Sequence, residues 1–160
     1  LRDLLCHRTG MPRHDMLWSG LSSDSADVIR RWGRARPSTS FRSKWEYSNV
    51  PFTAAGLIAG KLDKSDWAGV IKTRIFKPLG MEHSSCTWKE GSSEADHATP
   101  HYYALDKSIS AVKWDEIDHA GGAGCINSTA REMAAWLKLQ LAGGKYDGRR
   151  LITEKALRET

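Results

Sequence analysis

Apolar residues recur every three or four positions along several segments of the chain, which is the pattern of helices that bury one face. Residues that stop helices follow the first two segments, Gly33 after one and Asp63 after the other. The predicted helices, with their capping residues, cover Ser25–Trp32, Val50–Leu62, 65–80 and 129–144. Helices therefore dominate the expected fold.

The ends of the last two helices carry the clearest signals. Ser65 is the expected N-cap of the third helix, and Pro78 is expected to help end it. Thr129 and Glu132 form a T-x-x-E capping box at the start of the fourth helix. The apolar faces predict a core made of Leu57, Ile58, Trp67, Ile71, Ile75, Met133, Trp136 and Leu137.

Strand signals are weaker and local. Two β-prone runs, 101–105 and 109–114, are separated by three polar residues and predict a hairpin. Asp147 and Gly148 predict a second tight turn, whereas 10–20 and 87–100 are expected to be loops. The expected fold class is therefore mainly α with minor β strands, in a single domain over residues 1–160.

Composition and charge exclude several classes of protein. The chain has 160 residues, a formal net charge of +5, 40% hydrophobic and 27% charged residues, which is ordinary for a globular domain. No apolar run approaches the ~20 residues of a membrane span, so we expect no membrane partner. Because the chain begins at Leu1 and its last predicted helix, capped by Thr153, is cut at Thr160, we expect an internal fragment of a longer protein.

Basic residues crowd one stretch of the chain, at Arg30, Arg31, Arg34, Arg36, Arg42 and Lys44. Nucleic-acid-binding proteins use such residues for phosphate contacts. No nucleic-acid-binding motif surrounds this stretch, and acidic residues are common elsewhere. We therefore expect a solvated surface and no nucleic acid partner, with a basic nucleic-acid-binding domain as a minor alternative.

Metal and cofactor sites lack a consistent set of residues. His97 and His101 are four residues apart, but Pro100 disfavours the helix that would bring them together. The glycine-rich run 121–124 lacks the Lys and Ser/Thr of a phosphate-binding loop. The odd number of cysteines predicts buried thiols rather than disulfides, at Cys6, Cys86 and Cys125. We expect no metal and no cofactor.

Candidate nucleophiles and bases are few. Ser110 and Lys113 have S-x-x-K spacing, but in a strand these positions face opposite sides, so we expect a chance match. Tyr47 and Asn49 have Y-x-N spacing, which in an extended segment puts a phenol and an amide on one face. Such a pair suits proton transfer and substrate orientation. The alternatives are that Tyr47 is a core aromatic and that Asn49 only caps the helix at Val50.

Four segments of the chain resemble motifs of one known family, in the same order. LLCHRTGMP at 4–12 is similar to LLxHxSGLP, and YSN at 47–49 follows Phe41 and precedes Ala55-Gly56 as in F-x-YSN-x-x-x-x-LG. IFKPLGM at 75–81 matches I-F-x-PLGM almost letter for letter. GG at 121–122 and STARE at 128–132 resemble GG…STAxD. With these four segments the chain resembles the serine β-lactamase-related family, which includes cephalosporinase-type β-lactamases, DD-peptidases and esterases.

The resemblance implies the helical domain of the β-lactamase/transpeptidase-like fold, with an α/β domain of the same protein as its partner. Family members use S-x-x-K, Y-x-N and K/H-T-G in that order, and this chain holds only Y-x-N. Tyr47 is thereby implied as general base or proton relay, and Asn49 as the residue that orients the acyl group. Gly121 and Gly122 are expected at the substrate side, where small residues allow close approach.

The function implied by the resemblance is that of a serine hydrolase. Its substrate is a small acyl compound, a β-lactam, a peptide or an ester, and an acyl-enzyme forms on a Ser outside this fragment. The fragment alone is expected to be inactive. The alternative is a non-catalytic relative that binds acyl or peptide ligands or serves as a scaffold.

Overall fold

Helices make up most of the regular secondary structure in the computed structural model, which describes residues 1–20 and 24–160. The helices are α1 (Arg2–Leu5), α2 (Ser25–Trp32), α3 (Val50–Leu62), α4 (Trp67–Ile71), α5 (Lys77–Leu79), α6 (Trp88–Ser93), α7 (Gly121–Gly124), α8 (Ala130–Leu141) and α9 (Glu154–Leu157). A π-helical turn (Lys72–Phe76) joins α4 to α5, and 3-10 turns cover Asp15–Leu17 and Asp118–Ala120. In these ranges no helix has the length and apolar character of a membrane span.

The β structure consists of two small antiparallel hairpins in the described part of the chain. The strands are β1 (His101–Tyr103), β2 (Ile109–Ala111), β3 (Lys145–Tyr146) and β4 (Arg149–Arg150). Tyr102 lies opposite Ser110 in the first hairpin. Asp147 and Gly148 form the turn of the second, both with positive φ. The expected hairpin between the two β-prone runs and the expected turn at Asp147 and Gly148 are confirmed, as is the mainly α fold class with minor β strands.

Side-chain caps explain where five helices begin. Each of five residues accepts a hydrogen bond from the amide three positions along the chain: Asp24, Asp66, Thr87, Thr129 and Thr153. These caps satisfy amides that have no partner inside the helix. The Thr129 cap is confirmed. The expected Ser65 cap is wrong, because the carboxylate of Asp66 takes the amide of Gly69 at 2.7 Å instead.

Helix α3 is the element on which the other parts of the fold converge, since α1, α2, α4 and α7 all contact it. The buried hydrophobic residues form two clusters. One contains Trp18, Val28, Trp32, Val50 and Ala120, and the other contains Phe76, Leu79, Met81, Cys86 and Leu139. The first cluster joins α2 to the start of α3, and the second joins α5 to α8.

Helix α8 buries a different face from the expected one. Glu132 and Leu139 are buried, whereas Met133 is 39% and Leu137 57% exposed. Ile58 on α3 is also 41% exposed, so these three expected core positions are wrong. The buried stripe of α8 runs from 132 through 135–136 to 139, where the side chains contact other parts of the chain. It shares only Trp136 with the expected stripe. Among the remaining expected core residues, Leu57 is half-buried, and four pack against the second cluster: Trp67, Ile71, Ile75 and Trp136.

Two expected loops contain helical turns. The segment 87–100 holds α6, because Thr87 and Glu90 form a cap in which the Thr87 hydroxyl accepts the Glu90 amide at 3.1 Å. The low helix propensity of the Gly91-Ser92-Ser93 run hides this helix in the sequence. The segment 10–20 holds the 3-10 turn at Asp15–Leu17.

The cysteines differ in exposure. Cys86 and Cys125 are buried as expected, but Cys6 is exposed, so that expectation is wrong for Cys6. Cys6 directly follows α1, a helix that has no buried residue. Burial raises the pKa of the Cys86 and Cys125 thiols to about 11.

The basic stretch is partly neutralised by carboxylates. Arg30 and Arg31 both pair with Asp27, and Arg42 pairs with Asp3 through two nitrogens at 2.8 and 2.7 Å. The Arg42 guanidinium lowers the pKa of Asp3. These pairs fit the expectation of a solvated surface, and the absence of a nucleic acid partner stays a prediction.

Candidate active site

Tyr47 and Asn49 lie where an irregular segment enters α3. Residues 45–48 have neither helix nor strand structure, and Asn49 immediately precedes the helix. The backbone of Asn49 is already helical (φ −75°, ψ −35°), and its side chain makes no capping hydrogen bond. The alternative in which Asn49 only caps α3 therefore does not describe this structure. Its amide is left to bond other side chains.

The phenol and the amide contact each other. The Tyr47 hydroxyl donates a hydrogen bond of 2.8 Å to Oδ1 of Asn49. Nδ2 of Asn49 donates to Oδ1 of Asp15 at 3.4 Å, so the two neighbours together fix which way the amide faces. Tyr47 is 40% exposed, which excludes the alternative of a buried core aromatic. The pair is open to solvent on at least one side.

A cation lies against the ring of Tyr47. The Arg13 guanidinium is 5.2 Å from the ring centroid, within the range of cation–π attraction. The same guanidinium forms an ion pair with Asp15, from Nε to Oδ2 at 2.5 Å. Arg13 contacts Tyr47 and Asp15 bonds Asn49, so a single ion pair contacts both members of the Y-x-N pair.

His7 packs on the other flank of the same segment. Its ring centroid is 4.7 Å from that of Tyr47, 5.1 Å from Phe52 and 5.7 Å from Trp45. Nδ1 of His7 accepts the Ser48 amide at 3.3 Å, and the main-chain carbonyl of His7 accepts the Glu46 amide at 2.8 Å. These contacts tie the chain near α1 to the residues on both sides of Tyr47.

Gly121 and Gly122 pack against helices rather than standing open. A Cβ on Gly122 would lie 2.4 Å from the carbonyl oxygen of Phe52, and one on Gly121 would lie 2.9 Å from Cε3 of Trp67. Both glycines also line a cavity of about 450 Å³ with Trp67 and Asp118. Their contacts describe helix packing next to α3, and their substrate-binding role stays a prediction.

The other sequence candidates are not brought together with this site. Ser110 lies in β2 opposite Tyr102, and both it and Lys113 are exposed. Within residues 1–20 and 24–160, no group of three or more His, Cys, Asp or Glu side chains is arranged to hold a metal. The site as described thus consists of a phenol, an amide and the residues that hold them.

Sequence reasoning missed three residues of this arrangement: His7, Arg13 and Asp15. His7 lies inside the LLCHRTGMP segment, so the motif located it without giving it a role. Arg13 and Asp15 lie in an expected loop about 35 residues before Tyr47, and no local pattern links them to it. Their contribution depends on tertiary contacts alone.

Known proteins match most or all of the chain. A family model described as Beta-lactamase matches residues 1–160. The unguisins hydrolase ungD' of Aspergillus campestris (strain IBT 28561) is 26% identical over 143 residues, which is 85% of this chain and 27% of that protein. Gigasin-6 of Magallana gigas is 25% identical over 150 residues, 89% of this chain and 48% of that protein.

Solved structures share the fold across nearly the whole chain. D-amino acid amidase from Ochrobactrum anthropi SV3, complexed with L-phenylalanine amide, has a TM-score of 0.76 and 24% identity, covering 98% of this chain and 45% of the amidase. D-stereospecific amidohydrolase from Streptomyces sp. has a TM-score of 0.81 and 19% identity, covering 98% and 49%. The chain thus spans less than half of these structures and about a quarter of the fungal hydrolase.

Proposed function

This chain belongs to the beta-lactamase family, and from that premise we propose that it is the helical part of a serine hydrolase that acts through an acyl-enzyme on a Ser outside residues 1–160. The observation that carries the proposal is the Tyr47–Asn49 pair, hydrogen-bonded at 2.8 Å and open to solvent. The remaining active-site groups belong to the α/β domain of the same protein.

The proposed chemistry is acyl transfer in two halves. The Ser hydroxyl attacks the substrate carbonyl carbon while its proton passes to the Tyr47 oxygen. The carbonyl–leaving-group bond breaks as Tyr47 returns that proton to the leaving nitrogen or oxygen. Water then attacks the acyl-enzyme, with the same proton transfers, and releases the acid and the free Ser.

Tyr47 needs cations to act as a base, because a phenol ordinarily has a pKa of about 10 and is protonated at neutral pH. A nearby positive charge favours the phenolate. Arg13 lies against the ring face, 5.2 Å from its centroid, and is itself paired with Asp15. The Lys residues of the S-x-x-K and K/H-T-G motifs are the proposed sources at the hydroxyl itself.

Asn49 is proposed to orient the acyl group through its amide. Its Nδ2 now bonds Asp15, and its Oδ1 bonds Tyr47, so the amide has a defined direction before substrate arrives. Pre-set orientation of this kind lowers the entropic cost of reaching the transition state. The substrate is proposed to be a small acyl compound, a β-lactam, peptide or ester, and the amidase names among the structural neighbours favour an amide.

Trapping the acyl-enzyme tests this function. The full-length protein is incubated with a penicillin and, separately, with an activated ester, and the adduct is located by peptide mass spectrometry. The proposal predicts one adduct, on a Ser outside residues 1–160, and no turnover by the isolated chain. An adduct on Ser110 would overturn it, with Lys113→Ala as the check on that internal pair. No adduct with either reagent would favour the non-catalytic binding or scaffold alternative.

A further inference from the structure

His7 holds the main chain on both sides of Tyr47. Its carbonyl oxygen accepts the Glu46 amide at 2.8 Å, and its Nδ1 accepts the Ser48 amide at 3.3 Å. Residues 46 and 48 flank the phenol-bearing residue directly. A single residue, 40 positions away in the sequence, therefore sets the path of the segment that carries Tyr47.

The Ser48 bond is difficult to replace. Ser48 is fully buried, so its amide cannot turn to bulk water when the acceptor is lost. A buried amide without a partner is destabilising, so loss of the acceptor favours movement of the segment over an unsatisfied N–H. Such movement would carry Tyr47 and its hydroxyl with it.

The backbone of His7 restricts which residues can do this. Its φ of 55° lies in the left-handed region, which His, Asn and Asp adopt more readily than other side chains. The acceptor must also sit at the δ1 position, two bonds from Cβ. Asn offers an oxygen there and tolerates the same backbone, whereas Phe offers an aromatic ring without an acceptor.

The imidazole combines this acceptor with packing. Because Nδ1 accepts a hydrogen bond, a neutral His7 carries its proton on Nε2. The ring packs against Trp45, Tyr47 and Phe52, so it touches the extended flank of the segment and the first turn of α3 together. The three aromatic neighbours therefore hold the His7 ring in place, and Nδ1 of that ring holds the Ser48 amide.

We propose that His7 is a positioning residue of the Y-x-N site, which acts by holding the Glu46 and Ser48 amides so that the Tyr47 hydroxyl stays in its working place. This inference rests on the proposed function for its effect on catalysis. The hydrogen-bonded geometry itself does not depend on that function.

Two variants of the full-length protein separate the acceptor from the ring. His7→Asn keeps an acceptor and loses the aromatic packing, and His7→Phe keeps a ring and loses the acceptor. We expect His7→Asn to retain kcat within ~3-fold. We expect His7→Phe to lose ~10–100-fold in kcat with KM changed by less than ~3-fold, because misplacement of a catalytic group by about 1 Å can cost 10²-fold.

Hydrogen exchange measures the positioning without any activity. Peptides that cover residues 44–50 are expected to exchange faster in His7→Phe than in His7→Asn or the unmodified protein. His14→Phe is the matched control for strain, since His14 is exposed and also has a positive φ of 42°. His14→Phe should show the loss of thermal stability that Phe causes at a positive φ, without faster exchange over 44–50.

Contrary outcomes are distinct. Full activity and protection in His7→Phe would overturn the positioning role and assign His7 to packing only. Equal losses in both His7 variants would overturn the claim that the Nδ1 acceptor holds the segment. If Tyr47→Phe leaves the protein fully active, the proposed function fails. The exchange comparison then still decides whether His7 holds this segment.

Discussion

Gly122 lies against the main-chain carbonyl of Phe52, so close that a Cβ atom would come within 2.4 Å of its oxygen. Real Cβ atoms do not approach carbonyl oxygens at that distance. The absence of a side chain therefore allows α7 to contact the first turn of α3, whose Phe52 ring in turn packs on His7. The glycine pair thus supports the site through the position of α3.

Gly122→Ala is expected to destabilise the protein by ~1–3 kcal/mol, since the added methyl group must displace main chain rather than a flexible side chain. Gly124→Ala is the control, because a Cβ on Gly124 meets nothing within 4 Å. Its effect should stay within ~1 kcal/mol. Urea denaturation of both variants checks this, and equal midpoints would contradict the packing role of Gly122.

Leu139→Ala is expected to lower the free energy of unfolding by ~2–5 kcal/mol, because Leu139 is 1% exposed in the cluster that joins α5 to α8. Leu137→Ala, two residues away and 57% exposed, removes the same atoms from the other side of the helix. Its cost should be below ~1 kcal/mol. Chemical denaturation that shows the larger loss at Leu137 would mean that α8 is rotated as the sequence alone predicts.

Glu132→Ala is expected to lower the free energy of unfolding more than the substitution of an exposed charged residue on the same helix does. The buried carboxylate accepts the His83 amide at 2.8 Å and the Ser84 hydroxyl at 2.5 Å, so it joins α8 to the segment after α5. Removal of an acceptor that bonds two donors at once costs ~1–3 kcal/mol. The exposed neighbour Arg131→Ala should change stability by less than ~0.5 kcal/mol in the same thermal or urea experiment.

Cysteine alkylation is expected to be selective. Cys6 is exposed, whereas burial raises the pKa of the Cys86 and Cys125 thiols from 9.0 to about 11. Iodoacetamide at pH 8 should label Cys6 and spare the other two until denaturant is added. The raised pKa means that these thiols stabilise the fold fully below pH 9 and lose that contribution between about pH 9 and 11. Labelling of Cys86 before Cys6 would contradict the described burial.

Local signals account for the parts of the fold that the sequence predicts well. The helices Ser25–Trp32 and Val50–Leu62 have the expected bounds because their stops, Gly33 and Asp63, act on neighbouring residues. The sequence predicts less well which face of a helix is buried. Met133 and Leu137 share an apolar spacing, but burial depends on which elements pack on α8, and spacing carries no information about that.

The sequence likewise predicts the local part of the candidate site and misses the residues that come from distant segments. Y-x-N spacing puts Tyr47 and Asn49 two residues apart, and in the structure their side chains share a hydrogen bond of 2.8 Å. Their catalytic and substrate-binding roles stay predictions. His7 and Asp15 reach the same pair from more than 30 residues away. Such contacts follow from how α1 and the loop after it fold back on α3, which no single-segment pattern encodes.

The central claim is that the Tyr47 hydroxyl takes part in acyl transfer, and Tyr47→Phe in the full-length protein tests it most directly. Because the hydroxyl is exposed and bonds only the Asn49 oxygen among the described residues, its loss should change stability by less than ~0.5 kcal/mol. We predict that kcat/KM for an activated ester or amide falls by at least ~10²-fold, the typical contribution of a general acid–base group. Unchanged kcat/KM in a stably folded Tyr47→Phe protein would contradict the account.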